Sequence, residues 1–325
     1  MNAPILYTVI PCYNEEAVLP ETARRLLEKY KALISSGEIS EKSRIAFVND
    51  GSKDRTWEMI CAFHKAEPLF TGIDLSKNRG HQNALLAGLL TVKNDADVTI
   101  SMDADLQDDI NAIDEMLKKY KAGCDIVYGV RSSRKKDSFF KRFTAEAFYR
   151  LMDKLGAKTV FNHADYRLMS RRALEGLAEF KEVNLFLRGI VPMIGYPSDT
   201  VLYERSERFA GESKYPLKKM VAFALEGITS LSTKPIRLIT LLGFLIFLAS
   251  IVMLIVFVVQ FFLGLTVPGW PSLIVSIWAI GGLTMLSIGI VGEYVGKIYL
   301  EAKARPRFIV SQYLEKEEPH DDAGE

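Results

Sequence analysis

The feature that most constrains this chain is a long apolar run near its C-terminal end. No Asp, Glu, Lys or Arg occurs between Arg237 and Glu293. A bilayer core needs about 20 apolar helical residues for each crossing, and the run supplies two such stretches around the turn-forming segment TVPGWPS. Two buried helices of a soluble protein are the alternative, but globular helices rarely extend so far without a charge. The run therefore predicts transmembrane helices at 235–264 and 272–296.

The charges that flank this run predict its orientation. Basic residues stand on both outer sides, whereas the connecting loop has no charge. They are Lys234 and Arg237 before the first helix, and Lys297, Lys303, Arg305 and Arg307 after the second. Because basic flanks stay on the cytoplasmic side, we expect a multi-pass inner-membrane protein with both termini cytoplasmic, including a tail at 297–325. The N-terminus lacks the basic segment typical of a signal peptide.

Residues 1–215 have the pattern of an α/β domain on the cytoplasmic side. Apolar runs of strand length alternate with helical segments, and the runs read ILYTVI, RIAFVN, FTGIDLS, ADVTISMD and CDIVYGV. Such alternation predicts a mostly parallel sheet.

Composition excludes further classes of protein. The chain is 49% hydrophobic with a net charge of +1, so it is too apolar for a disordered chain and offers no electrostatic argument for nucleic acid binding. Its cysteines, Cys12, Cys61 and Cys124, are odd in number and form no CxxC pair. Reduced thiols are therefore expected, rather than disulfides or structural zinc.

Polar clusters follow all five predicted strands. They read PCYNEE, DGSKD, SKNRG, DADLQ and RSSRKK, in chain order. Ligands bind beyond the carboxyl ends of the strands in sheets of this kind, so five polar strand ends predict one shared site. No GxGxxG or GxxxxGK[ST] occurs, which disfavours a dinucleotide or P-loop site.

The segment SMDADLQDD places four acidic residues in a short stretch after the fourth strand. Asp103 and Asp105 are expected to face the same cleft, and hard oxygen ligands suit Mg²⁺ or Mn²⁺ held together with a diphosphate. Gln107 adds a neutral oxygen. Asp108 and Asp109 are interpreted differently, as carboxylates that begin the next helix, where the helix dipole favours them.

Two segments suggest contact with a membrane surface. YPLKKMVAFALEGITSLSTK, within 216–234, combines apolar and basic residues as an interfacial helix does. SFFKRFTAEAFYRLMDKL is a second candidate, although packing on the sheet explains it equally well.

Several motifs together resemble a known family. VIPCYNEE, VNDGSKDRT, LSKNRGHQNALLAGL, DADLQDD, DYRLMSRRA and RFAGESKY look like the family 2 glycosyltransferases with the GT-A fold. The closer resemblance is to the polyisoprenyl-phosphate glycosyltransferases, which include dolichol-phosphate mannose synthase and bacterial enzymes with two C-terminal spans. It covers roughly residues 5–312. One departure is that these enzymes often have DLQDPP, where this chain has Asp109-Ile110.

The resemblance implies roles for individual residues. Nucleotide contacts are implied for Pro11, Tyr13, Glu15, Asp50, Asp103 and Ala104. Asp105 and Gln107 would hold the metal, and phosphate contacts are implied for Arg131, Arg208, Ser213 and Lys214. A solvated charge run at 131–136 and an ordinary polar hairpin around 205–215 are the alternatives for these phosphate contacts. Asp105 and Asp165 are the implied catalytic residues.

The role of Asp165 stays open, because it would act either as a base or by orienting a phosphate-binding arginine such as Arg167. A phosphate monoester is mostly dianionic at neutral pH and needs little help from a base. The cluster after the third strand carries less weight: Lys77 and Arg79 are as consistent with a solvated turn, and His81 is interpreted as structural.

The expected function is metal-dependent, inverting transfer of a sugar from a nucleotide sugar to a polyprenyl phosphate at the cytoplasmic membrane face. The expected donor is a UDP-linked sugar, and the expected acceptor is undecaprenyl phosphate in the membrane bilayer. We also expect the chain to form a homo-oligomer and not to bind nucleic acid. The alternatives are a GDP-mannose-using synthase, an inactive membrane partner subunit and a lipid transporter, although the apolar run lacks the ionisable residue a transporter would need. A polymerising synthase is disfavoured because the QxxRW signature is absent.

Overall fold

A computed structural model describes residues 3–132, 163–204, 234–263 and 270–314. The chain divides into two compact units. One comprises Met1–Tyr149, Thr159–Tyr215 and Arg305–Glu325, and the other Arg150–Lys158 and Pro216–Ala304. Both predicted interfacial helices lie outside the described residues, as do Arg208, Ser213 and Lys214.

The first unit contains a sheet to which eight described strands contribute. They are β1 (Leu6–Cys12), β2 (Arg44–Asn49), β3 (Phe70–Leu75), β4 (Val98–Ser101), β5 (Ile126–Arg131), β6 (His163–Ser170), β7 (Ser198–Tyr203) and β8 (Val310–Tyr313). Their order across the sheet is β7-β5-β6-β4-β1-β2-β3-β8. The five strands expected from the sequence are therefore confirmed, and three further strands join them.

The sheet is mixed but mostly parallel. β4, β1, β2 and β3 pair in parallel, as do β5 and β7. β6 runs antiparallel between β4 and β5, and β8 runs antiparallel along β3. The central strands are buried along their whole length, β1 at every position, which explains why they read as continuous apolar runs rather than alternating ones.

Helices cover both faces of this sheet. The described helices of the first unit are α1 (Leu19–Ser35), α2 (Thr56–Ala66), α3 (His81–Thr91), α4 (Ala112–Lys121), α5 (Arg171–Ala178) and α6 (Leu187–Met193). α1, α2 and α4 pack on one face, whereas α3, α5 and α6 pack on the other. Gly88 lets α3 lie close, because a Cβ there would come within 2.4 Å of Val9 and 2.6 Å of Val48.

The segment after the second apolar helix returns to the sheet. Leu314 N–H donates to Gly72 O at 2.8 Å, and Thr71 Oγ1 donates to Leu314 O at 2.5 Å. Ser76 N–H donates to Ile309 O at 3.0 Å. Part of the predicted cytoplasmic tail is thus a strand at the edge of the described sheet, whereas the sequence pattern predicted no strand there.

The second unit contains two long helices, α7 (Lys234–Phe262) and α8 (Trp270–Lys303). They lie on the two apolar runs, and that both cross a membrane stays a prediction. Large apolar side chains project outward from both, with Phe244 55% and Met285 72% exposed. Among the described residues, one helical segment, Ile280–Lys303, is long and apolar enough to cross a membrane.

Candidate active site

The polar clusters that follow β1 and β2 bind each other. Asn14 N–H donates to Ser52 Oγ at 3.0 Å, and Lys53 N–H donates back to Asn14 Oδ1 at 2.8 Å. Glu15 N–H donates to Thr56 Oγ1 at 3.0 Å. Asn14 has a φ of 54°, a conformation that asparagine tolerates better than most residues. The result is a fixed double loop, beside which Pro11 is buried while Tyr13 is 43% exposed.

Asp50, at the end of β2, holds the loop that follows β3. Its two carboxylate oxygens accept the N–H groups of Arg79 at 2.6 Å and Gly80 at 2.9 Å. Burial raises the pKa of Asp50, while these two hydrogen bonds act against the shift. Gly51 has a φ of 63°, and a Cβ there would come within 2.6 Å of Asn78 N. Asp50 is thus seen supporting a loop, and its contact with a nucleotide base stays a prediction.

Asp103, Ala104, Asp105 and Gln107 form the turn after β4. Ala104 O accepts the hydroxyl of Thr22 at 2.8 Å, and Asp105 Oδ1 accepts Gln107 N–H at 3.1 Å. Burial raises the pKa of the Asp103 carboxyl, and the negative charges of Asp165 and Asp105 add to the increase. The charges of His81 and Arg131 act in the opposite direction on Asp103. Crowding of carboxylates is the electrostatic condition that a divalent ion relieves.

The donor set of this turn fits a hard divalent cation. Asp105 and Gln107 supply oxygen atoms, the ligand type that Mg²⁺ and Mn²⁺ prefer. In the part of the chain that is described, no group of three or more His, Cys, Asp or Glu is arranged to hold a metal ion by itself. A metal at Asp105 and Gln107 would therefore need further ligands from water or a bound diphosphate, as is usual for Mg²⁺.

Asp108 does not begin a helix, and its interpretation as a helix-start carboxylate is wrong. It is 3% exposed, and α4 starts only at Ala112. Tyr203 Oη donates to Asp108 Oδ1 at 2.5 Å, and burial together with the charge of Asp103 raises the pKa of Asp108 to about 6. Asp109 fits the prediction better, since its Oδ1 accepts Asn111 N–H just before the helix.

Arg131 lies at the end of β5 and points at this cluster. Its Nε donates to Tyr203 Oη at 3.3 Å, and its Nη2 lies 3.8 Å from Asp108 Oδ1. The side chain is 27% exposed. A solvated charge run is therefore the wrong description of Arg131 itself, whereas its contact with a diphosphate stays a prediction.

Asp165, on β6, is held by two guanidinium groups. Arg167 Nη2 donates to its Oδ1 at 2.6 Å, and Arg188 Nη2 donates to its Oδ2 at 3.0 Å. Arg188 Nε lies 3.3 Å from Oδ1, which makes the Arg188 contact bidentate. Burial alone would raise the pKa of Asp165, but Arg188 and Arg167 outweigh it and hold that pKa well below its usual range. A carboxylate in this setting is a poor proton acceptor.

Two residues of this site escaped the sequence reasoning. Arg188 is the second residue of α6 and lies 23 residues from its partner Asp165, and no local motif marks it. His81 was interpreted as structural, yet its Nε2 lies 3.4 Å from Asp103 Oδ1 and 3.9 Å from Asp165 Oδ2. His81 therefore stands between the two carboxylate sites. His81 directly follows SKNRG, one of the polar clusters after the strands, and this position indicates that it can lie at the shared site.

Comparison with known proteins agrees with a site for sugar transfer. The model of glycosyl transferase family 2 matches residues 7–177, more than half of the chain. The molecule is a glycosyltransferase, and it belongs to glycosyl transferase family 2.

Relatives match over almost the whole length. The uncharacterized glycosyltransferase YkoT of Bacillus subtilis (strain 168) is 56% identical over 317 residues, covering 98% of this chain and 94% of its own. The bactoprenol glucosyl transferase of Shigella phage SfV is 41% identical over 313 residues, covering 95% of this chain and 98% of its own.

Solved structures are less similar. Glucosyl-3-phosphoglycerate synthase from Mycobacterium tuberculosis, solved with Mn²⁺, UDP and phosphoglyceric acid, is 16% identical with a TM-score of 0.44. That match covers 70% of this chain and 77% of the other.

Proposed function

We propose that this chain transfers a sugar from a UDP-linked donor to undecaprenyl phosphate, with Mg²⁺ or Mn²⁺ as cofactor and with inversion at the anomeric carbon. The observation that carries the proposal is the juxtaposition of two opposite charge environments at one end of the sheet. Carboxylates crowd at Asp103 and Asp105, while Asp165 close by is bracketed by two arginines. A GT-A fold for the first unit is part of the proposal.

On the donor side, the turn after β4 and the end of β5 supply complementary groups. Asp105 and Gln107 would hold the metal, which when bound supplies positive charge for the leaving diphosphate. Arg131 adds a fixed guanidinium, whose geometry suits phosphate oxygens. Pro11, Tyr13, Glu15, Asp50, Asp103 and Ala104 are the proposed nucleotide contacts.

On the acceptor side, Asp165 is proposed to orient Arg188 rather than to remove a proton. Both of its oxygens accept hydrogen bonds from arginines, and its pKa is lowered. An acceptor phosphate is mostly dianionic near neutral pH and carries its own nucleophilic oxygen. Arg188, whose side chain is 31% exposed, would bind that phosphate together with Arg208, Ser213 and Lys214.

These contacts favour a single displacement. A retaining mechanism with a covalent intermediate needs a carboxylate free to attack the sugar, and Asp165 is tied on both oxygens. Direct attack by the phosphate oxygen on the anomeric carbon inverts its configuration. The bond to the diphosphate breaks as the bond to the acceptor phosphate forms.

The membrane arrangement is part of the same proposal. α7 and α8 would both cross the bilayer, with the catalytic unit and both termini in the cytoplasm and residues 216–234 along its surface. The support is the uncharged sequence from 238 to 292 with basic flanks, and the outward-facing apolar side chains of both helices. The acceptor would then be glycosylated at the inner leaflet, where nucleotide sugars are made. Assembly as a homo-oligomer is proposed without further support.

Purified full-length protein tests this function. It is incubated in detergent with undecaprenyl phosphate, Mn²⁺ and separate UDP- and GDP-linked sugars, with UDP-glucose first because related proteins bear the name glucosyl transferase. The lipid products are read by mass. We expect one UDP-sugar to add its glycosyl mass to the lipid phosphate. Transfer from GDP-mannose alone would favour a mannose synthase, and no product with any donor would favour an inactive partner subunit.

A further inference from the structure

Asp108 is a buried carboxylate with only one of its two oxygens hydrogen-bonded. Its side chain is 1% exposed, and its Oδ2 atom has no hydrogen-bond partner among the described residues. Burying an incompletely paired carboxylate costs stability. Such a group calls for an explanation beyond packing, and its surroundings supply one.

Three separate segments bring Asp108, Tyr203 and Arg131 together. Asp108 lies between β4 and α4, Arg131 ends β5, and Tyr203 ends β7. Arg131 and Tyr203 are directly opposed in the parallel β5–β7 pair. Ser132 N–H donates to Tyr203 O at 2.9 Å, which fixes the backbone of this corner. The backbone contact would hold these strands together without any contribution from the Tyr203 hydroxyl.

The hydroxyl instead links the carboxylate to the guanidinium. Tyr203 Oη donates to Asp108 Oδ1 and accepts from Arg131 Nε. Asp108 Oδ1 also lies 3.8 Å from Arg131 Nη2. Tyr203 at Nε and Asp108 near Nη2 contact the same edge of the Arg131 guanidinium. Because that group is rigid and planar, two contacts on one edge orient its plane. The ring of Tyr203 is held in turn by an edge-on contact with Tyr166, at a centroid distance of 5.3 Å.

We infer that Asp108 and Tyr203 are positioning residues that aim Arg131 at the diphosphate of the donor. The inference rests on the proposed function, since it takes Arg131 as a diphosphate contact. Tyr203 acts through its hydroxyl and Asp108 through its carboxylate, and neither touches the substrate. Arg131 without them keeps its charge but loses two contacts that orient it, so a bidentate contact with phosphate becomes harder to form.

The test compares affinity for UDP with affinity for UMP, which lacks the second phosphate. Full-length protein in detergent is titrated with each nucleotide by calorimetry at fixed Mn²⁺; GDP and GMP replace them if that pair binds more tightly. Arg131→Ala should reduce the UDP:UMP affinity ratio about ten-fold or more, as loss of a charged hydrogen bond does. Tyr203→Phe should reduce it about three- to ten-fold, and Asp108→Asn should do likewise.

The double variant Arg131→Ala/Tyr203→Phe decides between positioning and mere structure. If Tyr203 acts through Arg131, the double variant should have the same ratio as Arg131→Ala, because coupled residues are not additive. Tyr166→Phe is the matched control: it removes another buried tyrosine hydroxyl, which donates to Asp109 O at 3.0 Å, and should leave the ratio unchanged.

The outcomes distinguish the positioning role of Asp108 and Tyr203 from the diphosphate contact of Arg131. A selective loss in Arg131→Ala without one in Tyr203→Phe or Asp108→Asn would overturn the positioning role and leave the proposed function intact. An equal loss for UDP and UMP in Tyr203→Phe, or additive effects in the double variant, would also overturn it. If Arg131→Ala itself leaves the ratio unchanged, the diphosphate role of Arg131 in the proposed function fails as well.

Discussion

The two carboxylate sites at the end of the sheet are opposite in their electrostatic balance. Near the turn after β4, Asp103 and Asp108 both feel the negative charge of Asp105 and the positive charge of Arg131. On β6, one carboxylate, Asp165, is shared by two guanidiniums. The pKa of Asp103 is raised while that of Asp165 is lowered. His81 stands between the two sites.

The two sites therefore suit ligands of opposite charge. Crowded carboxylates are completed by a cation, whereas a carboxylate paired with two arginines leaves positive charge for an anion. The proposed sugar transfer would use both: a metal for the diphosphate that leaves and cationic side chains for the phosphate that attacks. Residues of the same type, a few ångströms apart, thereby acquire different tasks from their neighbours.

The largest effect is expected from removing the charge of Asp105. Asp105→Asn should lower turnover by roughly two to three orders of magnitude, because the metal that stabilises the leaving group loses a ligand. The melting temperature should hardly change. The matched control is Asp109→Asn, which alters a neighbouring carboxylate that accepts Asn111 N–H before α4. Near-normal transfer by Asp105→Asn, or transfer that persists in EDTA, would contradict a metal site at the turn after β4.

Arg188 should have the next largest effect. Arg188→Ala is expected to lower transfer about ten- to a hundred-fold, mainly through weaker use of undecaprenyl phosphate, since a charged hydrogen bond to phosphate is lost. Kinetics at varied lipid concentration measure this loss. Arg172→Ala is a suitable control, because Arg172 is also partly exposed and lies 3.5 Å from a carboxylate, that of Asp125. Equal kinetics for the Arg188 and Arg172 variants would contradict an anion site at Asp165.

The smallest effect on transfer should come from a change far from both charge sites. Gly72 lies in β3, where a Cβ would come within 2.5 Å of Ile60 Cγ2 and 3.0 Å of Leu314 Cδ1. Gly72→Ala should destabilise the sheet by about 1–3 kcal/mol through overpacking. Thermal unfolding should show a lower melting temperature, while transfer per folded molecule stays the same. A selective change in donor or lipid kinetics would show that the β3–β8 edge belongs to the site.

The fold was predictable wherever local pattern decides structure. Continuous apolar runs gave β1 to β5 because those strands are buried on both faces. β6 and β8 were missed because their place depends on distant partners: β6 inserts between β4 and β5, and β8 pairs with β3 from more than 200 residues away. Spacing along a chain does not reveal such pairings.

The site was predictable in its residue types but not in its contacts. Asp103, Asp105 and Asp165 were recognised from motifs, whereas Arg188 has no motif and meets Asp165 only in the folded chain. Asp108 resembled a helix-start acid because nothing nearby shows that Tyr203, 95 residues later, comes to cover it. The burial of a carboxylate and its charged neighbours depend on the folded structure. They decide whether the carboxylate binds a metal, orients an arginine or stays on the surface.

Mn²⁺ occupancy measured by equilibrium dialysis tests whether the metal binds at the turn after β4 and not at the Asp165 site. Full-length protein, Asp105→Asn and Arg188→Ala are dialysed against limiting Mn²⁺ at fixed UDP, and the excess metal on the protein side is counted. The unaltered protein and Arg188→Ala should each retain about one Mn²⁺ per chain, and Asp105→Asn should retain almost none. Full occupancy in Asp105→Asn, or loss of Mn²⁺ in Arg188→Ala alone, would contradict the assignment of the metal to the turn after β4.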